Sequence, residues 1–227
     1  MTGIARLAPL RQPVAPLRNK IIAALRAAIE TGMLTPGTRL VEKDLCEQLD
    51  ISRTSLRESL RELQAEGVLE NNSSRSLVVA SISSEEAENV YRIRAVLEAL
   101  IVEQFIEKAD EAQVRNLLRE SETLKAAYRS GVLTSMLAAK RAFYDRICIG
   151  AENAIAFDII SRLVLRTSSL RSRSMMRPER QAQSVAEIDV LVRAIEARDV
   201  PAARRAAIEH VTNSARSSLG TTLVLHR

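Results

Sequence analysis

The sequence predicts a mainly α protein, an N-terminal winged helix-turn-helix followed by an all-α helical bundle of about six helices. Three observations predict it. Three short amphipathic segments near the N-terminus are followed by two extended apolar runs around a polar tip. From residue 84 onward apolar positions recur at helical spacing with no strand signal. The composition is 46% hydrophobic but only 3% aromatic with no Trp, so the core must be aliphatic, which suits helices packed on helices.

Taken in order, residues 1–15 carry Pro9 and Pro13 without a regular period and read as a flexible arm, whose Arg6 and Arg11 are either phosphate contacts or merely solvated. The next 65 residues, 16–80, form the first domain. A first helix places Ile21, Ile22, Leu25, Ala28 and Ile29 on one face, and Thr31 to Gly37 stops it. A second runs from Glu42 to Leu49 with Leu45 and Leu49 four apart, and Asp50-Ile-Ser52 is a tight connection. A third, Thr54 to Ala65, turns Leu56, Leu60 and Leu63 inward and ends at Gly67. Val68-Leu-Glu and Leu77-Val-Val-Ala80, flanking polar Asn71 to Ser76, read as a small hairpin.

Residues 81–84 are a linker, and Ser84 with Glu85 and Glu86 supplies an N-cap and acidic first turn for the second domain, residues 85–227. Its helices are expected near 84–108, 110–130, 133–150, 153–172, 181–197 and 200–218, with Asp110, Asn153 and Pro201 as start signals. No repeat of 20–50 residues is visible, which disfavours a solenoid.

The bulk numbers exclude more than they assign. Net charge is +5, but Lys+Arg exceed Asp+Glu by only two in residues 1–80 and by three in residues 81–227, so neither half is a polybasic tail. Any contact with a polyanion must come from a few placed side chains. Cys46 and Cys148 are far apart in apolar-periodic segments, consistent with packing residues in a reducing compartment. The N-terminus lacks the apolar core of a secretory signal and no membrane-length apolar run exists, so a cytoplasmic protein with no membrane partner is expected. No Gly-rich phosphate loop, HExxH, CxxC pair or nucleophile elbow is present, and the only histidines are His210 and His226, which disfavours an enzyme.

The third helix has the chemistry of a DNA reader. Arg57 and Arg61 recur four apart opposite the leucines, while Ser52 and Arg53 sit at the N-terminus, where unpaired backbone N–H groups favour phosphate. Arg pairs bidentately with guanine, and Thr54 adds a hydroxyl or methyl contact. An Arg/Glu face at this spacing is equally compatible with a solvated surface in which Arg57 and Arg61 meet Glu58 and Glu62.

Pro36-Gly-Thr-Arg-Leu-Val-Glu-Lys-Asp-Leu45, Leu49-Asp-Ile-Ser-Arg-Thr-Ser-Leu-Arg-Glu-Ser-Leu60 and Leu63-Gln-Ala-Glu-Gly-Val-Leu69 resemble the GntR-family DNA-binding domain nearly position for position. The resemblance implies that Lys43, Arg53, Thr54, Arg57 and the wing residue Arg75 contact a double-stranded DNA operator. Ser55 stands where the family usually has Pro, and Ser76 where a wing Gly is common.

Tyr91-Arg-Ile-Arg-Ala-Val-Leu-Glu98, Phe143-Tyr-Asp-Arg-Ile and Glu187 to Asp199 are similar to the FCD effector domain of FadR-like members. That similarity implies a homodimer controlled by a small-molecule effector, commonly a carboxylate held by a metal on one Asp and three His. Here those positions fall on Lys140, Tyr144, Ile188 and His210, so one ligand in four survives and neither metal nor cofactor is expected. Lys140 then either replaces the metal's charge, binding an anionic effector together with Arg94, Tyr144 and His210, or faces solvent in a domain that only dimerises or docks another protein.

Overall fold

The computed structural model describes residues 15–220, and the expected arm, apart from Ala15, and residues 221–227 with His226 lie outside them. Helices α1 (Ala15–Glu30), α2 (Glu42–Leu49) and α3 (Arg53–Ala65) precede an antiparallel hairpin of β1 (Leu69–Asn71) and β2 (Leu77–Val79). Leu69 pairs with Val79 and Asn71 with Leu77, and Arg39 bridges to Val78 on the outer side of β2. Ile21, Ile22, Leu25 and Ile29 of α1 pack on Leu56, Leu60 and Leu63 of α3 and on Leu69 and Val79 of the hairpin. This small core holds one residue from far along the chain, Leu165.

Seven helices follow: α4 (Ser84–Lys108), α5 (Glu111–Ser130), α6 (Leu133–Ala151), α7 (Ala154–Arg166), α8 (Ser168–Met175), α9 (Pro178–Glu196) and α10 (Val200–Leu219). Helix α4 is the central one, packed against α10, α6 and α7. Its inward stripe runs through Ala87, Val90, Tyr91, Ala95, Ile101, Val102 and Phe105 and also includes two ionisable residues, Arg94 and Glu98. Among the described residues no helix is long and apolar enough to cross a membrane.

Three boundaries differ from the sequence reading. The cap of α4 is Ser83, one residue early, because its hydroxyl accepts from the Glu86 amide while the Glu86 carboxylate accepts from the Ser83 amide; this reciprocal pair needs a Glu three residues on. The helix expected over 153–172 is two helices, giving seven rather than six. Thr167 breaks it, with its hydroxyl donating to the carbonyls of Leu163 and Val164 and its backbone leaving helical geometry. A buried Thr followed by Ser168 and Ser169 offers the chain local hydrogen bonds that compete with the helical ladder. Helix α9 begins three residues earlier than expected, at Pro178, whose fixed φ and missing N–H suit a first helical position. Cys148 is buried as expected, but Cys46 is only partly so.

Candidate functional site

Two places gather polar side chains. At the first, the αL residue Asp50 ends α2 and Ser52 caps α3, its hydroxyl accepting from the Ser55 amide. That cap fixes the start of α3 so that Leu56, Leu60 and Leu63 are buried while Arg53, Thr54, Arg57 and Arg61 are exposed. Arg57 and Arg61 share a groove with Arg75 of the hairpin, floored by Leu40, Leu60 and Leu77. Lys43 is exposed on α2 beside Glu47, outside that groove, as are Ser52, Arg53 and Thr54 at the start of α3. Arg61, which sequence pattern pairs with Arg57 but the family resemblance leaves out, is thus part of the groove.

The partners of these arginines are not the neighbours expected of a merely solvated helix face. The Arg57 Nε donates to both oxygens of Glu42 on α2, at 3.0 and 2.9 Å, and Glu62 meets Arg18 of α1. Arg75 adopts positive φ, +58°, at the tip of the hairpin. Asn72 organises that tip, its side-chain oxygen accepting from the amides of Ser74 and Ser76. The left-handed residue is therefore Arg75, and Ser76, in the place where the family often has Gly, needs no special conformation.

The second place is a cavity of about 90 Å³ inside the helical half. Arg94, Lys140 and Tyr144 line it together with Glu98, Arg171, Arg26 and Glu30, opposite an apolar wall that includes Leu137, Phe157 and Ile160. The Arg94 guanidinium donates to a single Glu98 oxygen from Nε and Nη2 at 3.0 and 2.8 Å. Its Nη1 and the other Glu98 oxygen are buried without a partner, as are the Nε atoms of Arg171 and Arg26. Most of the unpartnered buried side-chain atoms of the described chain thus belong to residues of this one cavity. Buried polar groups are ordinarily satisfied, so a cluster of exceptions calls for an explanation.

His210 does not line the cavity but stands behind Lys140. Its Nε2 is 3.0 Å from the Lys140 Nζ, and its Nδ1 is 2.6 Å from Glu187. Glu187 also accepts a bidentate pair from Arg180 and a bond from the Asn213 amide. A carboxylate so paired requires Nδ1 to carry the proton, leaving Nε2 as acceptor for the lysine. Burial, with help from the nearby Lys140 charge, lowers His210 to about 4, and its hydrogen bonds to His210 and Arg180 hold Glu187 near 2 despite burial. Burial and then the charges of Arg180, Arg171 and Arg94 push Lys140 well below the usual lysine range. Burial also raises the Tyr144 hydroxyl, so it stays protonated.

These residues do not fit a divalent cation. The one imidazole nitrogen that would face a metal accepts from an amino group instead, and no group of three or more His, Cys, Asp or Glu able to hold an ion occurs among the described residues.

Residues 17–79 match the gntR family of bacterial regulatory proteins, and residues 89–213, more than half of the chain, match the FCD domain. The chain belongs to the GntR family, in its FCD-containing form. The family is one of DNA-binding transcription regulators. This GntR protein is 31% identical over 107 residues to the HTH-type transcriptional regulator YdhC of Bacillus subtilis, a match covering 47% of this chain and 48% of that one, about half the relative's length. It is 28% identical over 142 residues to the HTH-type transcriptional regulator McbR of Escherichia coli, covering 63% and 64% of the two chains. The solved structure of E. coli McbR/YncC superposes with a TM-score of 0.80 at 23% identity, covering 88% of this chain and 95% of that one. A GntR regulator from Rhodococcus sp. RHA1 gives 0.73 at 21% identity, covering 90% and 98%. At these identities the superpositions establish the GntR/FCD fold alone.

Of the cavity residues, Arg94, Lys140 and Tyr144 were legible from the family pattern. Glu98 was not singled out, although an acid four residues from Arg94 on a largely apolar helix face is the signal that could have found it. Arg26, Glu30 and Arg171 were not legible, because no local pattern says which outward residues of α1 and α8 meet a cavity built mainly by α4, α6 and α7.

Proposed function

We propose that this GntR protein is a homodimer that reads a pseudo-palindromic operator with Lys43, Ser52, Arg53, Thr54, Arg57 and Arg75, and that a small anionic effector held without a metal in the helical cavity controls it. The observation that carries the DNA half is the orientation of α3. Its leucines are anchored inside the N-terminal core while Arg53 and Arg57 stand outward, the second aligned by Glu42 and sharing a groove with Arg75. Two-fold proteins read two-fold sites, and the apolar side chains of Ile93 and Val96 on α4 and Ile155 and Ile159 on α7, two helices that pack together, are exposed as a surface for a second copy.

The effector half rests on the unpartnered atoms. Arg94 Nη1 and Arg171 Nε offer donors to an anion, while the unpaired Glu98 oxygen asks for a donor in return. An effector that satisfies both is a small carboxylate bearing a hydroxyl or ammonium group, its hydrocarbon part on Leu137, Phe157 and Ile160.

The test begins with operator selection from a random DNA pool, followed by gel shifts at physiological salt. Arg53→Ala and Arg57→Ala are expected to abolish specific binding while sedimentation still reports a folded dimer, and wild-type affinity in either variant overturns the assigned face. A thermal-shift screen of hydroxy and amino acids tests the cavity, since a ligand specific for the folded state raises the melting temperature. If none does so, the helical half is a dimerisation or docking module without a ligand.

A further inference from the structure

The cavity is not closed by the helical half alone: Arg26 and Glu30, which belong to α1 and therefore to the N-terminal unit, form part of its wall. Arg26 presents two donors on one edge of its guanidinium, one of them engaged and one not. Its Nη2 bonds both oxygens of Glu66, at 2.7 and 2.5 Å, and Glu66 is the C-cap of the recognition helix α3. Its Nε is buried and has no partner. Building on the effector reading above, we propose that Arg26 is an effector-binding residue contributed by the DNA-binding unit, and that its ion pair with Glu66 is the contact through which cavity occupancy reaches the recognition helix.

Nε and Nη2 lie on the same edge of the rigid, planar guanidinium, so a new acceptor at Nε competes with Glu66 for that edge and tilts the nitrogen that holds it. An anion seated between Arg94 and Arg171 presents that acceptor. The carboxylate at the end of α3 then loses its alignment, and the C-terminal turn of the recognition helix loses the strap that ties it to α1.

The surrounding structure keeps the rest of α1 still while this happens. The Ser172 hydroxyl of α8 donates to the Glu30 carbonyl, and Leu165 of α7 is inserted in the N-terminal core beside Ile29 and Val68. The α7–α8 corner made by Thr167 therefore grips α1 from the cavity side, and the movable element is the Arg26 side chain rather than the helix. Linkage makes the effect reciprocal: whatever a cavity occupant does to DNA affinity, bound DNA does to the occupant.

The test uses the full chain and mimics occupancy without naming the effector. Ser161→Phe places a ring in the cavity from α7, and operator affinity is measured by fluorescence anisotropy for wild type, Ser161→Phe, Glu66→Gln and the double variant. The expected result is a shift of at least about fivefold from Ser161→Phe in the wild-type background, shrinking below about twofold when Glu66 is Gln. An equal shift in both backgrounds, or none in either, overturns the proposal. Hydrogen exchange without DNA gives a second readout: amides of residues 63–67 exchange faster in Ser161→Phe than in wild type, and unchanged rates in a folded variant also overturn it. A wild-type chain that selects no DNA would sink the operator reading while leaving this second measurement decisive for the Arg26 contact.

Discussion

The Lys140 Nζ lies 3.0 Å from the Nε2 of His210, so a buried amino group occupies the position from which the imidazole would otherwise face a ligand or ion. The relay continues through Nδ1 to Glu187 and on to Arg180, a run of hydrogen bonds from α6 through α10 to α9 in a core that is otherwise apolar. Such a chain is costly to bury and specific in its protonation, and both properties can be measured.

Acid sensitivity is the first consequence. His210 holds its proton only below about 4 in the fold, against an ordinary value of 6.5, so unfolding takes up a proton between these limits. The stability it contributes is complete above pH 6.5 and is lost as pH falls toward 4. Denaturant titrations at pH 7 and pH 4.5 should show a drop that is smaller in His210→Gln, and an identical drop in both proteins would remove His210 as its source.

Lys140 and Glu98 should respond in opposite ways to losing their charge. Lys140→Met removes an amino group whose charge burial and three arginines disfavour, so its stability should equal or exceed that of wild type while any effector-induced thermal shift disappears. Glu98→Gln leaves the buried Arg94 uncompensated and should cost about 3–5 kcal/mol in urea unfolding. A strongly destabilised Lys140→Met would show that the lysine is a structural tie rather than a binding group.

Gly150 permits the close approach of α6 to α4. A Cβ there would sit 2.5 Å from the ring of Phe105, which is fully buried and has nowhere to move. Gly150→Ala should therefore lower stability by about 1–3 kcal/mol, the usual range for overpacking a tight core, and a melting temperature equal to wild type would mean that the two helices can separate.

The wing makes a separable prediction. Arg75 is strained by its positive φ, and Arg75→Gly should stabilise the N-terminal unit by about 1 kcal/mol while weakening operator binding. Lys43→Ala should weaken all DNA sequences alike and reduce the salt slope of binding by about one, as expected for a phosphate contact. Sequence-dependent loss in Lys43→Ala would assign it to a base instead.

How legible these features were depended on how local their causes are. The inward leucines of α3, the hairpin and the starts of α5 and α7 at Asp110 and Asn153 follow from spacing and cap chemistry within a few residues, whereas α3 begins at Arg53 on a Ser52 cap, one residue before the expected Thr54. The break at Thr167 did not announce itself, because a Thr-Ser-Ser run is tolerated inside helices unless its hydroxyls are turned back onto the carbonyls, and burial decides that. The pairing of Arg57 with Glu42 rather than Glu58 likewise depends on how α2 crosses α3.

The sequence by itself determined the two kinds of architecture and the outward arginines of the third helix, because periodicity, capping and residue identity act within a turn or two of chain. Only the tertiary structure decided that His210 stands behind Lys140, that Arg94, Glu98 and Arg171, each with an unpartnered buried atom, line one cavity, and that Arg26 joins them while holding Glu66. The cavity residues lie up to 145 residues apart in the chain, and what brings Arg26 to the others is the packing of α1 against the α7–α8 corner, which no local pattern encodes.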